Sequence, residues 1–265
     1  MESSIDLDAY LARIGYDGPL AATEACLAAL HEAHVASIPF ENLDVVLGLP
    51  IALDLPALMA KLVHAKRGGY CFEHGTLFKA VLDRIGFGTH ILTARVRFGA
   101  ERIGPRSHML LKVDTTGGAF LADVGFGGLG LLRPIPLMPE LVTHVPGAAY
   151  RLRHEQNQWI LEGDVGDDDF DDYYAFTLEP QYPVDIEVAN HFTATHPSSI
   201  FRRSLTAQLT RHDRRAILRN RRLEIRRGDR RETIELADES AFRAVLAEEF
   251  GIVLPPETRP ILPEA

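Results

Sequence analysis

Three residues of the chain, Cys71, His108 and Asp123, are of the types that together carry out nucleophilic acyl transfer. Cys71 follows the segment RGGY at the expected start of a helix, where free backbone N–H groups and the positive end of the helix favour a thiolate. His108 begins the run HMLLKV and Asp123 ends the run FLAD, so a base and an acid lie at the ends of two strand-like segments. The residue types alone leave two alternatives open: a catalytic triad, or three unrelated structural residues.

Antiparallel pairing would bring the histidine and the acid together. Residues 106–113 and 118–124 are separated by a short turn sequence, which predicts a hairpin with Asp123 near His108 at its open end. Alternation along the first strand would place His108 and Leu110 on one face of the sheet. The helix that begins at the cysteine would then pack against the open end of the hairpin.

Hydrophobic periodicity divides the chain into a helical first third, a strand-rich middle that begins near Thr89, and a mixed last third. The middle section reads as an antiparallel sheet or a small barrel, which makes α+β the predicted fold class. Polar capping residues and the cysteine mark where helices should begin. The expected helix starts are Asp6, Thr23, Asp54, Cys71 and Asp238.

The composition is that of a folded enzyme with two or three subdomains: 265 residues, of which 46% are hydrophobic and 25% are charged. Cys26 falls in the middle of an expected helix, a setting typical of a buried structural thiol, and its context differs from that of Cys71, so no disulfide is expected. The sequence shows neither a basic-then-apolar leader nor an apolar run long enough to span a bilayer. We therefore expect a cytoplasmic protein without membrane contact.

The charge is unevenly distributed along the chain. A formal net charge of −9 opposes general binding of nucleic acid. Twelve arginines nevertheless occur between Arg202 and Arg231. They indicate either a solvated face of a sheet or a site for phosphate groups.

Two segments could suggest a metal, and neither predicts one. His31 and His34 lie three residues apart on an expected helix, but no further ligands converge with them in the sequence. The acidic stretch Asp167–Asp172 lacks the glycine and final glutamate of a looped calcium site, and is typical of an exposed hairpin loop. No metal site is expected.

The motifs RGGYCFEHGTLF, SHMLLKV and DVGFGG, preceded by IPFENLD at 38–44, resemble those of the arylamine N-acetyltransferase family. The resemblance extends over nearly the whole chain, as far as Asn190 and the segment HPSSIF at 196–201. It implies a cysteine-protease-like core made of an N-terminal helical bundle, a central antiparallel β-barrel and a C-terminal α/β lid. The expected domain ranges are 1–87, 88–190 and 191–265.

The resemblance also implies an activity and its substrates. Cys71 would accept an acetyl group from acetyl-CoA and pass it to the nitrogen of an arylamine or arylhydrazine, with His108 as the base and Asp123 as the orienting acid. Acetyl-CoA would be a co-substrate, and no tightly bound cofactor is implied. Residues that match the acceptor pocket of the family are Phe40, Val96 and Phe201, and those of the loop beside CoA are Gly125, Phe126, Gly127 and Gly128.

Two charged residues in the apolar motifs, Glu41 and Arg67, are predicted to form a buried ion pair. His74 stands where the family commonly has an amide, and it could influence the thiolate if it turned toward Cys71. Three rival functions remain at this stage: an amide synthase that closes macrolactams, a cysteine hydrolase, and a non-enzymatic CoA-binding or scaffold protein. Neither the physiological acceptor nor the oligomeric state follows from the sequence.

Overall fold

The structure, a computed structural model, describes residues 5–164, 169–212, 214–228 and 230–258. Part of the acidic stretch, Asp167 and Asp168, therefore lies outside the described residues. Helices form the first third of the chain and recur after residue 182. They are α1 (Leu7–Ile14), α2 (Glu24–Ser37), α3 (Leu43–Val46), α4 (Leu55–Leu58), α5 (Cys71–Ile85), α6 (Pro183–Thr195), α7 (Ile200–Arg203) and α8 (Glu239–Phe250).

Local capping chemistry explains why the helices begin where they do. Asp6, Thr23 and Asp54 each accept a hydrogen bond from a backbone N–H three residues later, at 3.0 to 3.3 Å. Helix α5 ends at Gly86, which has a left-handed backbone with φ of 105°. The helix starts at these caps are confirmed, whereas the π-helical turn Met59–His64 that continues α4 was not expected.

An eight-stranded antiparallel sheet curls into a nearly closed barrel in the middle of the chain. Its strand order is β5-β4-β3-β2-β9-β8-β7-β6. The strands are β2 (Gly88–Val96), β3 (His108–Thr115), β4 (Gly118–Ala122), β5 (Ile135–Pro136), β6 (Thr143–Val145), β7 (Ala148–Glu155), β8 (Gln158–Asp164) and β9 (Asp171–Phe176).

Strand β3 has one face toward the helices and one toward the barrel interior. Met109 and Leu111 belong to the core that contains α2 and α5, whereas Leu110 packs with barrel residues such as Tyr174. This split confirms the predicted alternation. The strand is therefore the shared wall between the helices and the barrel.

A second antiparallel sheet of five strands, in the order β1-β10-β11-β12-β13, packs against α8 around a core of its own. Its first strand comes from the N-terminal part of the chain, so this sheet joins the N-terminal and C-terminal parts of the sequence. The strands are β1 (Phe40–Glu41), β10 (Thr206–Arg211), β11 (Arg214–Arg219), β12 (Arg222–Arg227) and β13 (Arg230–Glu235).

The α+β class with helices, barrel and C-terminal α/β unit is confirmed. The three domain ranges remain predictions, and the expected boundary at residue 190 falls inside α6. Of the helices in the described ranges, none combines the length and the apolar character needed to cross a membrane. The cytoplasmic location likewise stays a prediction.

Candidate active site

Cys71 is the first residue of α5 and is only 3% exposed. Its Sγ lies 3.6 Å from the carbonyl oxygen of Ser107, the residue that precedes β3. Glu73 holds the helix start because its carboxylate accepts a hydrogen bond from the N–H of Tyr70 at 3.0 Å. The candidate nucleophile therefore lies at a helix N-terminus, against the strand that begins with His108.

The glycines before Cys71 allow two segments of backbone to come unusually close. The N–H of Glu41 donates to the carbonyl of Gly69 at 2.7 Å, and the N–H of Gly69 donates to Pro39 at 3.3 Å. A Cβ on Gly68 would lie 1.8 Å from the Pro39 carbonyl oxygen, so no larger residue fits there. Gly68 and Gly69 therefore allow the RGGY and IPFENLD motifs to pair.

His108 and Asp123 form a buried pair at the open end of the β3–β4 hairpin. Leu111 opposes Ala122 in the register, which leaves His108 and Asp123 just beyond the paired residues. The Nε2 of His108 lies 2.7 Å from the Oδ2 of Asp123, with side chains 4% and 1% exposed. The predicted proximity of the base and the acid is therefore confirmed.

Charge pairing overrides burial at this site. Burial alone would lower the pKa of His108, but the Asp123 carboxylate and the adjacent Cys71 sulfur raise that pKa to about 10. Burial would likewise raise the pKa of Asp123, yet the charge of His108 and the hydrogen bond between the two hold it below its usual range. The imidazolium–carboxylate state is thus the favoured state of the pair.

Because Nε2 of His108 is engaged with Asp123, Nδ1 is the ring nitrogen left for the cysteine. The Oδ1 of Asp123 accepts a further hydrogen bond from the N–H of Gly125 at 3.0 Å. A Cβ on Gly125 would lie 2.7 Å from the Cα of Cys71. The acid, the glycine and the cysteine therefore form one tightly packed unit, consistent with a nucleophile, base and orienting acid.

Residues 125–128 form a loop, here called the glycine loop. Beyond Gly125, this loop lies against the C-terminal sheet. Gly128 donates its N–H to the side-chain oxygen of Gln208 at 2.6 Å, and its carbonyl accepts from Arg215 at 2.6 Å. Gly127 has a φ of 89°, and a Cβ there would lie 2.7 Å from the Gln208 oxygen. Gln208 and the buried Arg215 are contacts that the sequence patterns did not single out.

Aromatic side chains surround the histidine. The rings of Phe126 and Tyr174 have centroids 5.2 and 5.0 Å from that of His108. The Tyr174 hydroxyl, close to Asp123, also contributes to the lowered pKa of that carboxyl. Val96 opposes Tyr174 across the β2–β9 pair. Tyr174 is a further residue of the site that the sequence did not indicate, because nothing in its local pattern distinguishes it from a core tyrosine.

Two of the expected acceptor-pocket residues contact each other. The rings of Phe40 and Phe201 have centroids 6.0 Å apart, and Tyr70 packs edge-on against Phe201 at 5.6 Å. The Tyr70 hydroxyl donates to the side-chain oxygen of Asn190. The pocket role of Phe40, Phe201 and Val96 stays a prediction.

The predicted Glu41–Arg67 ion pair is confirmed, with a separation of 2.7 Å. It belongs to a larger network, since Arg67 also reaches Asp44 at 2.8 Å and Lys61 bridges Asp44 and Glu73 at 2.7 Å each. Burial raises the pKa of Glu73 to about 7, against the lowering effect of the Lys61 charge. Because Glu73 also holds the start of α5, the network helps to fix the helix that carries the nucleophile.

The buried histidines of α2 bond to other parts of the chain. His34 accepts from the Tyr10 hydroxyl at 2.8 Å and bonds to His74 at 2.8 Å, while the other nitrogen of His74 faces the Pro39 carbonyl at 3.2 Å. His74 is therefore engaged with these partners. His31 contacts two backbone groups near the acid. Within the described ranges, no group of three His, Cys, Asp or Glu side chains is placed to hold a metal.

Most arginines of the basic segment lie on the exposed surface of the C-terminal sheet. Some of them surround a cavity of about 270 Å³ at the β10–β11 and β12–β13 turns, next to the β6–β7 turn at Gly147. Both readings of the arginine pattern therefore have a structural counterpart, a solvated face and a concave basic site. The arginines of the cavity are Arg211, Arg214, Arg215 and Arg226.

A family model, a related sequence and two solved structures all match this chain over most of its length. A family model described as N-acetyltransferase matches residues 24–259. The arylamine N-acetyltransferase of Mycolicibacterium smegmatis is 38% identical over 95% of this chain and 93% of its own length. The crystal structure of the Nocardia farcinica arylamine N-acetyltransferase superimposes with a TM-score of 0.90 at 41% identity, covering 96% and 92% of the two chains. The Mycobacterium marinum enzyme in complex with CoA superimposes with a TM-score of 0.88 at 36% identity, covering 93% of each.

Proposed function

Because the chain belongs to the arylamine N-acetyltransferase family, we propose that it transfers an acetyl group from acetyl-CoA to an arylamine or arylhydrazine nitrogen through an acetyl-Cys71 intermediate. The observation that carries this proposal is the buried His108–Asp123 pair, 2.7 Å apart, beside a cysteine at a helix start. Such a site holds a thiolate and an imidazolium ready for acyl transfer.

In the first half-reaction, the Cys71 thiolate attacks the carbonyl carbon of acetyl-CoA. The C–S bond to CoA breaks as the tetrahedral intermediate collapses, and the His108 imidazolium gives its proton to the departing CoA thiolate. In the second, the amine attacks the acetyl-cysteine and the neutral His108 accepts a proton from the attacking nitrogen. The C–S bond to Cys71 breaks as this intermediate collapses, which regenerates the thiolate–imidazolium pair. Asp123 orients the ring throughout.

Each tetrahedral intermediate needs a donor for its oxyanion. The backbone N–H of Cys71 lies in the first turn of α5, where N–H groups have no acceptor within the helix. We assign this group to the oxyanion. The positive end of the helix adds to the same stabilisation.

Phe40, Val96 and Phe201 are proposed to bind the flat ring of the acceptor. Contact between the first and last of these residues supports a shared apolar wall. An apolar wall also keeps water from the acetyl-cysteine, and hydrolysis is the reaction that competes with transfer.

The loop Gly125–Gly128 and the basic cavity are proposed to bind CoA. Gly125 packs against Cys71 at one end of the loop, and Gly128 bonds to Arg215 at the other. Arg215 also lines the cavity. A donor with its thioester at the cysteine can therefore extend its long pantetheine arm along the loop toward the cavity. The arginines of the cavity then meet the phosphate groups.

The direct test is to incubate the protein with acetyl-CoA in the absence of an acceptor. One acetyl group should appear on the peptide that contains Cys71, and an aromatic amine should then remove it as the acetylated amine. Cys71→Ala should abolish both steps, while Cys26→Ala, at the other buried thiol, should retain them. Absence of an adduct with every short acyl-CoA would refute the mechanism, and release of the acetyl group to water at the same rate with and without amine would indicate a hydrolase.

A further inference from the structure

His31, on helix α2, is fully buried and bonds to both ends of the loop that carries the acid and the glycines of the site. Its Nε2 lies 3.1 Å from the backbone nitrogen of Asp123. Its Nδ1 lies 3.2 Å from the carbonyl oxygen of Leu132. One ring thus ties residue 123 to residue 132.

The two bonds determine which nitrogen carries the proton. A carbonyl oxygen only accepts hydrogen bonds, so Nδ1 donates its hydrogen to Leu132. The backbone N–H of Asp123 only donates, so Nε2 must be the unprotonated acceptor. His31 is therefore neutral when both bonds are made, and burial, which lowers its pKa to about 4 despite the nearby charges of Asp123 and Glu32, favours that form.

The backbone N–H of Asp123 depends on His31 because the pairing of β4 with β3 ends one residue earlier, at Ala122. A buried N–H without an acceptor is unfavourable, and it would be relieved by rotation or displacement of the residue. The carboxylate of Asp123 is held separately, by the hydrogen bond from Gly125 and the pair with His108, with the Tyr174 hydroxyl close by. His31 therefore holds the main chain from which the catalytic carboxylate projects.

We propose that His31 is a positioning residue for the acyl-transfer site, acting through the backbone of Asp123 and through closure of the loop 123–132. The proposal rests on the proposed function, since it assigns His31 to the same triad. Phe78 packs edge-on against the ring, with centroids 5.9 Å apart, and fixes its orientation from the helix that carries the cysteine.

Substitutions can separate the two hydrogen bonds. A glutamine amide occupies roughly the position of Nε2, and an asparagine amide that of Nδ1. His31→Gln should therefore keep the acceptor for Asp123, whereas His31→Asn should keep only the donor to Leu132. His31→Leu removes both hydrogen bonds and replaces the ring with an apolar side chain of comparable size.

The experiment measures three quantities for each variant: the midpoint of thermal unfolding, the rate of Cys71 alkylation by iodoacetamide as a function of pH, and kcat for acetyl transfer. We expect His31→Asn and His31→Leu to lower kcat about tenfold or more, the effect of one lost buried hydrogen bond, and to shift the alkylation profile. His31→Gln should stay within about threefold of the parent protein. The matched control is His34→Leu, one turn along the same helix, which loses bonds to Tyr10 and His74 and should lower the unfolding midpoint without shifting the profile.

The positioning role would be overturned if His31→Gln lost as much kcat as His31→Asn and His31→Leu. The same conclusion would follow if the loss of kcat in each variant tracked only its lower unfolding midpoint. Failure of the proposed function looks different. In that case the parent protein would not form acetyl-Cys71, while the alkylation profiles would still rank the His31 variants in the expected order and so support the positioning of the triad.

Discussion

Two histidine–aspartate pairs on the same sheet show how much burial contributes to the chemistry. His90 and Asp114 lie 2.9 Å apart with side chains 45% and 46% exposed, while His108 and Asp123 lie 2.7 Å apart and are almost completely buried. Water screens the exposed pair, so the interaction between its two side chains is weak. In the buried pair the low dielectric strengthens the interaction, and the pKa of His108 rises to about 10.

The residue-scale prediction concerns Asp123→Asn. Removing the carboxylate charge should lower the pKa of His108 and make Cys71 a weaker nucleophile. We expect kcat/KM for acetyl transfer to fall about a hundredfold or more, as is typical of a lost acid–base partner. Steady-state kinetics and the rate of iodoacetamide alkylation measure the two effects.

Asp114→Asn is the matched control because it alters the same pair chemistry on the exposed surface, and it should leave kcat/KM unchanged. The pH dependence of unfolding by urea gives an independent check. Since the folded pKa of His108 is raised, the stabilisation is present below its ordinary value of 6.5 and is lost as the pH rises toward about 10. A difference in stability between the parent and Asp123→Asn that stays constant over this range would contradict the assignment.

At the scale of elements, the glycine loop after β4 is packed between α5 and the C-terminal sheet. Gly125 touches the backbone of Cys71, and Gly128 bonds to Gln208 of β10. The glycines are required by close approach on both sides, because a Cβ at Gly125 or Gly128 would lie within 3 Å of a neighbouring atom. Helix, barrel and C-terminal sheet therefore meet at this loop.

Gly125→Ala tests whether this packing controls the chemistry. The added Cβ would lie 2.7 Å from the Cα of Cys71, so the loop must move, and the hydrogen bond from residue 125 to Asp123 should lengthen. We expect a loss of stability of about 1–3 kcal/mol, as for overpacked sites. A fall in kcat/KM of about tenfold or more should accompany it, measured beside the unfolding midpoint. Gly104→Ala, where a Cβ meets no atom within 4 Å, is the control; an unchanged kcat/KM in Gly125→Ala would limit the glycine to a packing role.

At the scale of the whole molecule, the chain is acidic but has a local region of positive charge. The chain carries a net charge of −9, yet arginines line the cavity at one end of the C-terminal sheet. Arg211 and Arg214 flank the β10–β11 turn at that end, whereas Arg219 and Arg222 flank the next turn at the opposite end. We expect a local positive field of this kind to attract a phosphorylated donor even to an acidic protein.

Arg211→Ala should raise the KM for acetyl-CoA several-fold and leave kcat unchanged, because the residue is expected to contribute to donor binding alone. The KM for acetyl-pantetheine, a donor without the nucleotide phosphates, should not change. Added salt should reduce the difference between parent and variant. Arg222→Ala, at the other end of the sheet, should behave as the parent protein; an equal effect of Arg211→Ala on both donors would show that the cavity does not bind the phosphates.

The sequence by itself determined the local structure and pointed to the residues that we propose as the reacting groups. The caps at Asp6, Thr23 and Asp54 and the alternation along β3 are properties of neighbouring residues, so they can be predicted without knowledge of the fold. The short hairpin likewise brought His108 near Asp123. Even the long-range Glu41–Arg67 pair was predictable, because buried charges need partners.

Only the tertiary structure decided how the site is supported. The acceptor for the backbone N–H of Asp123 comes from His31, in a helix far back in the sequence, and the loop partner Gln208 comes from far ahead. From the sequence, His31 is expected to be a surface or core histidine of a helix, and no metal site is predicted there. A hydrogen bond between distant segments leaves no periodic pattern in either one, and so the partner of a buried polar group is known only when the elements are packed.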